Sequence, residues 1–399
     1  MPTRILYIDV EAGWGGSSRS LMHMIDSLDP AKWRPAVVMR KTGPIIDQYN
    51  EKGIPYIVVP ELPSFRPAER KNIVTLGIHL WRRRHFGKAV AKIRAFAHEH
   101  DCKLIHVNHE SMALSGSRIA RLLGLPWVCH IRTQLHDSAY SRALARMIAK
   151  RAKHRFYISE PVEEHFQDLA GGTAGRIPGT VVYNICHAPD PDADVPDVMA
   201  NSDARLKVIS LSSFSPNRGV DRIIDVAAVL RDRNIDDIQF FMFGLPAHFN
   251  PLTGKPVPFY ENMLAKIRDD HLSGIVHMPG QLPRPDGALL AGDALIKLTR
   301  HQNPWGRDIM EGMAAGLSIV TLGRYDKFVE PEKNGYLSAE FSPEDIADYL
   351  IRLRDDAALR ANIRATNKAK AKELFGSDRM AAALDARYSA VLADSIQAA

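Results

Sequence analysis

The sequence predicts an α/β protein of two domains, each built on a parallel β-sheet with helices on both faces. Short apolar runs alternate with amphipathic helical stretches along the whole chain, which is typical of βαβ units. With 399 residues the chain is too long for a single ordinary core and suits two domains. Residues 188–196 are acidic and rich in proline, cannot continue a helix, and are therefore predicted to form an interdomain linker.

The composition is that of an ordered globular protein, with 45% hydrophobic and 25% charged residues. The three cysteines, Cys102, Cys129 and Cys186, are far apart and odd in number, so they indicate neither a disulfide framework nor a zinc cluster. This usage predicts a reducing compartment. Because the N-terminus lacks a signal-peptide pattern and no apolar run reaches about 18 residues, we expect a cytoplasmic protein, either free or peripheral on the inner face of the membrane.

The first predicted strand, at residues 4–10, is a continuous apolar run of the kind found in buried parallel strands. A loop with Gly15 and Gly16 leads from it into a helix, and glycines let a backbone approach a ligand closely. The spacing matches neither the dinucleotide-binding fingerprint nor a phosphate loop that ends in Lys and Ser or Thr. An ordinary tight turn is the equal alternative.

A dense positive cluster lies in a predicted helix at residues 73–100 and contains Trp81, Arg82, Arg83 and Arg84. One interpretation is a solvated basic face. The other is contact with an anionic membrane surface, with the cations on lipid head groups and Trp81 or a nearby Phe86 in the interface. The formal net charge of +6 does not decide between them. No recognised nucleic-acid-binding motif accompanies the charge, so nucleic acid is not an expected partner.

Titratable side chains cluster where the strand predicted at residues 126–132 ends. Ligands gather at the carboxyl ends of strands in open α/β sheets, so these side chains are candidate site residues. For any single histidine the alternative is a hydrogen-bonded residue of the core. The four candidates are His130, Arg132, His136 and Asp137.

The second domain is predicted to open with a strand at residues 206–211, a loop that contains Ser213 and Arg218, and a helix from residue 220. Arg218 comes just before the helix, where a cation opposes the helix dipole, so a role in helix stability is not expected. A bound phosphate explains this cation better. A strand followed by a glycine recurs at Gly244, Gly280 and Gly323, as expected for a second parallel sheet.

The stretch at residues 299–316 points most directly to a ligand. A loop with Asn303 and Gly306 enters a short helix, and the free N–H groups of a helix N-terminus form an anion site. Glu311 lies inside that helix among apolar and small neighbours, where an unpartnered charge is costly. We therefore expect Glu311 to have a partner, and a ligand hydroxyl is one candidate.

Taken in order, these motifs make the chain resemble the retaining glycosyltransferases of family four, which have the two-domain GT-B fold. The resemblance covers nearly the whole chain and is strongest in its last motif. The residues that carry it are Gly15-Gly16 after the first strand, residues 182–184, residues 215–219, Gly244, residues 277–280, and residues 303–316 with the strand at 317–320.

The resemblance implies two Rossmann-like domains that face each other across a cleft. The implied boundaries are an acceptor-side domain at residues 1–187, a linker at 188–203, and a nucleotide-sugar-binding domain at 204–375. The C-terminal helix at residues 376–399 is expected to cross back to the first domain. The implied activity is retaining sugar transfer from a UDP- or GDP-linked donor to a glycan or lipid-linked acceptor, in cell-envelope or surface glycan synthesis. Neither a cofactor nor a metal is implied.

The family also implies roles for individual residues. The donor diphosphate would contact Arg218 and the backbone from Trp305 to Arg307, and Glu311 would accept hydrogen bonds from the ribose. The family's histidine after a first-domain strand corresponds to either His130 or Arg132. Further donor contacts are implied at Gly15, Gly16, Ser213, Gly244 and Gly306.

Three positions depart from the family pattern. The family usually has two glutamates with seven residues between them, and the first contacts the donor sugar. In this sequence the first position is Asn303. In the phosphate loop, Arg218 occupies the position of the usual lysine, and Ser213 occupies the position of the arginine that pairs with it. The loop therefore has one positive charge fewer, unless Lys297, Arg300 or Arg307 contributes. These changes fit an altered donor, a different pattern of sugar hydroxyls, or a lapsed binding protein. A nucleotide-sugar epimerase of similar fold is the other alternative.

Overall fold

The computed structural model describes residues 2–10, 16–64, 73–171, 179–245 and 258–397, and within these ranges the side chains of residues 73–83 and 396 are not described. The chain divides into two compact units. The first consists of Met1–Ile185 and Ser377–Ala399, and the second of Cys186–Gly376. Each has its own parallel sheet, which confirms the predicted fold class.

The first unit is built on seven parallel strands. They are β1 (Thr3–Ile8), β2 (Trp33–Met39), β3 (Tyr56–Val58), β4 (Cys102–Val107), β5 (Trp127–Ile131), β6 (His154–Tyr157) and β7 (Gly179–Val181). They are arranged in the order β3-β2-β1-β4-β5-β6-β7. The helices of this unit are α1 (Gly16–Ser27), α2 (Ile45–Glu51), α3 (Ile73–Glu99), α4 (Ala113–Leu123), α5 (Ala139–Arg151), α6 (Glu160–Ala170) and, from the chain end, α14 (Ser377–Gln397).

Both faces of this sheet are buried, and β1 shows why its sequence is apolar throughout. Ile5 and Tyr7 pack into a cluster on one face, whereas Leu6 and Ile8 pack into a separate cluster on the other. Successive side chains of a strand point to opposite faces, so a sheet covered on both sides requires a continuous apolar run.

Helix α14 follows the second unit in sequence but packs on the sheet of the first. Asp385 accepts a hydrogen bond from Trp33 Nε1 at 2.7 Å and pairs with Lys32 Nζ at 2.6 Å. Further along the helix, the buried hydroxyl of Tyr388 lies 2.6 Å from His106 Nδ1 on β4. These contacts make α14 part of the core of the first unit.

Phe86 belongs to the core, which makes its suggested place in a membrane interface wrong. It is 8% exposed and packs in the cluster beneath α3, with the Arg118 guanidinium 4.7 Å from its ring centroid. Arg84 is exposed, while the side chains of Trp81, Arg82 and Arg83 lie outside the described residues. Within the described ranges, no helix is long and apolar enough to cross a membrane.

The second unit is built on six parallel strands, β8 (Leu206–Leu211), β9 (Ile238–Phe243), β10 (Val276–Gly280), β11 (Ala294–Lys297), β12 (Ser318–Leu322) and β13 (Gly335–Ser338). They are arranged in the order β10-β9-β8-β11-β12-β13. The helices of this unit are α7 (Asp197–Ala200), α8 (Asp221–Asp232), α9 (Pro258–Asp269), α10 (Asp286–Ala291), α11 (Arg307–Ala315), α12 (Pro343–Asp355) and α13 (Ala357–Phe375).

The acidic, proline-rich stretch at residues 188–203 lies within this second unit. Met199 on α7 is fully buried, and its carbonyl accepts a hydrogen bond from Lys207 Nζ at 2.7 Å. The Asp190 N–H donates to Asp286 at 3.0 Å. This stretch therefore packs against β8 and α10 of the second unit.

A close backbone contact joins the loops that follow β8 and β11. Gly219 has φ +65°, and a Cβ at this position would lie 1.8 Å from the carbonyl oxygen of Leu298. Only glycine combines a positive φ with this approach at no steric cost. Gly219 thus sets the distance between the two loops.

We expect Gly219→Ala to lower the free energy of unfolding by about 1–3 kcal/mol, because the new methyl group meets backbone rather than a movable side chain. Urea unfolding measures the change. Gly274→Ala is the matched control, because a Cβ there meets no atom within 4 Å. Equal stability of the two variants would show that the loops separate freely.

A second expectation concerns two histidines buried in the first unit. His106 and His130 are fully buried, with ring centroids 5.7 Å apart. Burial, and next the charge of Arg132, lower the pKa of both well below the ordinary value of 6.5. Both imidazoles are therefore neutral in the native state and are protonated in the unfolded chain below pH 6.5.

Because the unfolded state binds these protons and the native state does not, stability falls as the pH drops below 6.5. Each histidine contributes a slope of up to about 1.4 kcal/mol per pH unit. Urea unfolding between pH 8 and pH 5 measures this slope. His130→Leu removes one of the two histidines and should reduce the slope by the contribution of one proton, up to about 1.4 kcal/mol per pH unit. A wild-type stability that is flat across this range would contradict the expectation.

Candidate functional site

Polar side chains meet at the carboxyl edge of the second sheet, where the loops after β8, β9 and β11 come together. The N–H of Arg300 donates to the carbonyl of Asn217 at 3.1 Å, which ties the loop after β11 to the loop after β8. Gly244 follows β9, and its N–H donates to the Gly280 carbonyl at 3.0 Å. A Cβ on Gly244 would lie 2.0 Å from the Ser212 carbonyl oxygen, so the loop after β9 also packs directly against the loop after β8.

Arg218 ends a short 3₁₀ turn, Pro216–Arg218, in the loop after β8. Its side chain is exposed and makes no hydrogen bond or ion pair to any residue that the structure describes. Ser213, two residues past the end of β8, is exposed as well. The structure therefore presents an unpaired guanidinium at this edge, beside the loop after β11.

The other three cations that were candidates for charge compensation are each held by a carboxylate of the protein. Lys297 Nζ lies 2.8 Å from Asp308 Oδ1, and Arg307 Nε lies 2.9 Å from Glu311 Oε1. Arg300 makes a two-pronged contact with Asp221, at 2.8 Å and 2.5 Å. Forming an ion pair with a ligand would require each of them to share or exchange its present partner.

Glu311 forms an ion pair with Arg307, which lies one turn earlier on α11. Both side chains are mostly buried, with 12% exposed for Glu311 and 16% for Arg307. An i,i+4 pair of this kind brings opposite charges together on one helix face. It also keeps the carboxylate oriented at the edge of the site.

The loop between β11 and α11 is held by side chains of its own. Thr299 is 2% exposed, and its hydroxyl donates to Asn303 Oδ1 at 2.5 Å. The Trp305 ring packs edge-on against Tyr325, with ring centroids 5.7 Å apart. Gly306, at φ +137°, is the N-cap of α11 and caps the helix without a side chain. The N-terminus of α11 thus opens next to Trp305.

The first unit has a buried polar network at the carboxyl edge of three neighbouring strands. Asp9, Asn108 and Arg132 each come directly after the end of a strand, β1, β4 and β5 respectively. Asp9 accepts from Asn108 Nδ2 at 2.8 Å and from the Ser18 hydroxyl at 2.7 Å. Ser18 belongs to α1, the helix that begins at Gly16, while Gly15 lies outside the described residues.

Arg132 is the centre of this network and is 8% exposed. Its guanidinium donates to the Asn108 carbonyl at 2.7 Å, to Asn108 Oδ1 at 2.6 Å and to Asn184 Oδ1 at 2.9 Å. Its backbone N–H donates to Glu110 Oε2 at 2.8 Å. The carboxylates of Asp9 and Glu110, both about 1% exposed, belong to the same buried network.

His130 lies one turn of the strand deeper than Arg132 and is fully buried against His106 and Phe156. This position excludes direct contact between its imidazole and a ligand in the conformation described. Asp137 lies in an exposed pair with Arg142, which holds the pKa of the carboxyl below its ordinary value, and His136 is exposed.

Four residues of these sites were missed from the sequence, namely Asp9, Asn108, Glu110 and Asp308. For the first two a signal was present, because a polar residue that directly follows an apolar strand lies at the edge where ligands bind. Glu110 and Asp308 carry no such signal. In the ranges that the structure describes, no group of three His, Cys, Asp or Glu side chains is placed to hold a metal ion.

Two family models match consecutive parts of the chain. The model described as "Glycosyl transferase 4-like domain" matches residues 15–184, and the one described as "Glycosyl transferases group 1" matches residues 196–370. Among curated proteins, spore coat protein SA of Bacillus subtilis (strain 168) is 29% identical over 122 residues, which are 30% of this chain and 32% of that protein. The matched segment is thus about a third of that relative.

Solved structures resemble the chain over nearly its full length. HepE of Anabaena in complex with UDP has a TM-score of 0.76 at 20% identity, covering 97% of this chain and 100% of its own. TarM of S. aureus, in a complex that includes UDP, has a TM-score of 0.68 at 12% identity, covering 98% and 99%. At such identities the likeness concerns the fold. Together with the two family models it shows that the chain belongs to the GT-B glycosyltransferases, with a glycosyl transferase 4-like domain followed by a group 1 domain.

Proposed function

We propose that the protein transfers a sugar, with retention of anomeric configuration and without a bound metal, from a nucleotide diphosphate donor to a hydroxyl acceptor. The observation that carries this proposal is the exposed guanidinium of Arg218, which has no partner among the described residues at the carboxyl edge of the second sheet. Ligands of open α/β sheets bind at this edge. The donor diphosphate is the partner that we assign to Arg218.

The chemical role of Arg218 follows from where charge develops. When the bond between the sugar and the diphosphate breaks, negative charge grows on the leaving phosphate oxygen. A fixed donor aimed at that oxygen is worth more in the transition state than in the ground state. A guanidinium offers two parallel N–H groups to a phosphate, so it binds with defined geometry as well as charge.

The remaining contacts of the donor are assigned to the same edge. The N-terminus of α11, from Trp305 through Gly306 to Arg307, is the second element proposed to face the diphosphate, since helix N-termini bind anions. Glu311 is proposed to accept from the ribose hydroxyls, with Arg307 holding it in place. Ser213 and Gly244 are proposed to line the site, and Asn303, positioned by Thr299, to contact the donor sugar.

The acceptor side is assigned to the first unit, through the edge that holds Arg132. Of the two alternatives, Arg132 is favoured over His130 because it lies at the strand end, whereas the His130 imidazole is fully buried. We also propose that Gly16, the first residue of α1, brings the backbone of this edge close to the substrates.

The relatives support a UDP-linked donor and an envelope or surface glycan as acceptor. HepE is described in complex with UDP and with UDP-glucose, and TarM in a complex with UDP and α-GlcNAc-glycerol. Another similar structure is a lipopolysaccharide outer core galactosyltransferase. We infer a UDP-hexose donor, with a GDP-linked one as the alternative, and a glycan or lipid-linked acceptor used at the cytoplasmic face of the membrane.

Arg218→Ala should lower donor turnover by about 100-fold or more, because it removes a charge that stabilises the leaving diphosphate. Arg218→Lys keeps the charge but not the paired geometry and should fall between this variant and the wild type. The measurement is release of nucleoside diphosphate from a panel of UDP- and GDP-sugars with mixed glycan acceptors, with the anomeric configuration of the product read by NMR.

Arg268→Ala is the matched control, because Arg268 is 74% exposed at the end of α9 and pairs only with its neighbour Asp269 among the described residues. Its turnover should equal that of the wild type. Turnover of Arg218→Ala within a few-fold of wild type would refute the site. A changed sugar nucleotide released without any acceptor would identify an epimerase, and no binding of any donor by the wild type would identify a lapsed binding protein.

A further inference from the structure

Lys297 carries a buried charge in the middle of the second sheet. It is the last residue of β11, a strand that lies between β8 and β12, and it is 3% exposed. Taking an ammonium out of water is costly, and a buried ion pair is weak evidence for added stability. A lysine in a strand that is otherwise apolar, at the edge of the proposed donor site, therefore calls for a second explanation.

The ammonium of Lys297 contacts the loop after β11 at one residue before Gly306 and at one residue after it. Lys297 Nζ donates to the carbonyl of Trp305 at 2.8 Å and pairs with Asp308 at 2.8 Å. The same oxygen of Asp308 accepts the N–H of Ile309 at 3.0 Å, in the first turn of α11. One buried side chain thus fixes the residue before Gly306 and the second residue after it.

Gly306 fits this arrangement because it has no side chain. A Cβ at this position would lie 2.5 Å from Lys297 Nζ and 2.8 Å from Asp308 Oδ1, and the backbone here has φ +137°. The ammonium and the carboxylate therefore occupy the space beside Gly306.

These contacts leave Lys297 no direct route to a ligand. Its charge is neutralised by Asp308, and its side chain is covered by the loop that it holds. Lys297 can instead determine the position of the helix N-terminus, because the Trp305 carbonyl and the first turn of α11 determine where the N-terminal N–H groups of this helix point. In a preorganised site, a misplacement of such groups by about 1 Å can lower the reaction rate by about 100-fold.

We propose that Lys297, together with Asp308, is a positioning residue that fixes the N-terminus of α11 for binding a nucleoside diphosphate. The inference rests on the proposed function, since it assigns the diphosphate to this helix. It predicts that breaking the Lys297–Asp308 pair weakens nucleotide binding even while the protein remains folded.

The test is titration calorimetry with UDP, and in parallel with GDP, on Lys297→Met and on Lys370→Met. Lys370 is the matched control, because it is 16% exposed and, from α13, pairs with Glu330 of the same unit rather than with a residue of α11. Both variants should lower the melting temperature. Only Lys297→Met should weaken binding of the nucleotide, by about tenfold or more, because only this lysine holds the helix N-terminus.

Asp308 supplies a second pair of variants should Lys297→Met fail to fold. Asp308→Asn keeps an oxygen that can accept from Lys297 and from the Ile309 N–H, so its affinity should stay within a few-fold of wild type. Asp308→Leu removes that oxygen and should weaken binding by about tenfold or more. A purely structural role would lower the melting temperature of these variants without separating their affinities.

Each outcome decides a different claim. If the wild type binds UDP or GDP and both Lys297→Met and Asp308→Leu bind it equally well, the positioning role is refuted while the donor site stands. If Lys370→Met loses affinity as strongly as Lys297→Met, the effect is general destabilisation and the role is again refuted. If the wild type binds neither nucleotide, the proposed function is refuted, and the role of Lys297 with it.

Discussion

Charge buried at the carboxyl edge of a parallel sheet must be paired, and this requirement shapes both units of the protein. In the first unit the buried guanidinium of Arg132 donates hydrogen bonds to Asn108 and Asn184, and the same network contains the buried carboxylates of Asp9 and Glu110. In the second unit the ammonium of Lys297 is balanced by Asp308. Water cannot solvate these groups, so the loops after the strands are held in the paths that bring the partners together.

Against this background Arg218 is the exception that indicates function. At the same edge Lys297, Arg300 and Arg307 each have a carboxylate partner, whereas Arg218 has none among the residues that the structure describes. The replacement of a usual arginine by Ser213 is therefore not offset by these three side chains as they stand. A donor diphosphate would meet one guanidinium together with the amides of a helix N-terminus, which shifts part of its recognition from side chains to backbone.

Backbone recognition requires close approach, and glycines permit it where the loops meet. Gly219 and Gly244 let the loops after β11 and β9 approach the loop after β8, and Gly306 leaves room for the ammonium of Lys297. Each of these residues was noticed in the sequence as part of a glycine-containing loop. What each glycine accommodates, namely a carbonyl or a charged side chain from a distant part of the chain, could be read only from the structure.

The sequence by itself determined the fold class, the order of strands and helices, and the family, because apolar periodicity, cap residues and the spacing of loop motifs are local properties. The strand before Gly323 was found in this way and is confirmed as Ser318–Leu322. The tertiary structure decided which polar residues pair. The burial of His130 and Phe86, the Lys297–Asp308 pair and the network around Arg132 depend on neighbours brought together by folding. The reason is that a buried charge is stabilised by whichever group the fold places within hydrogen-bond distance, and sequence spacing specifies that group only within a helix.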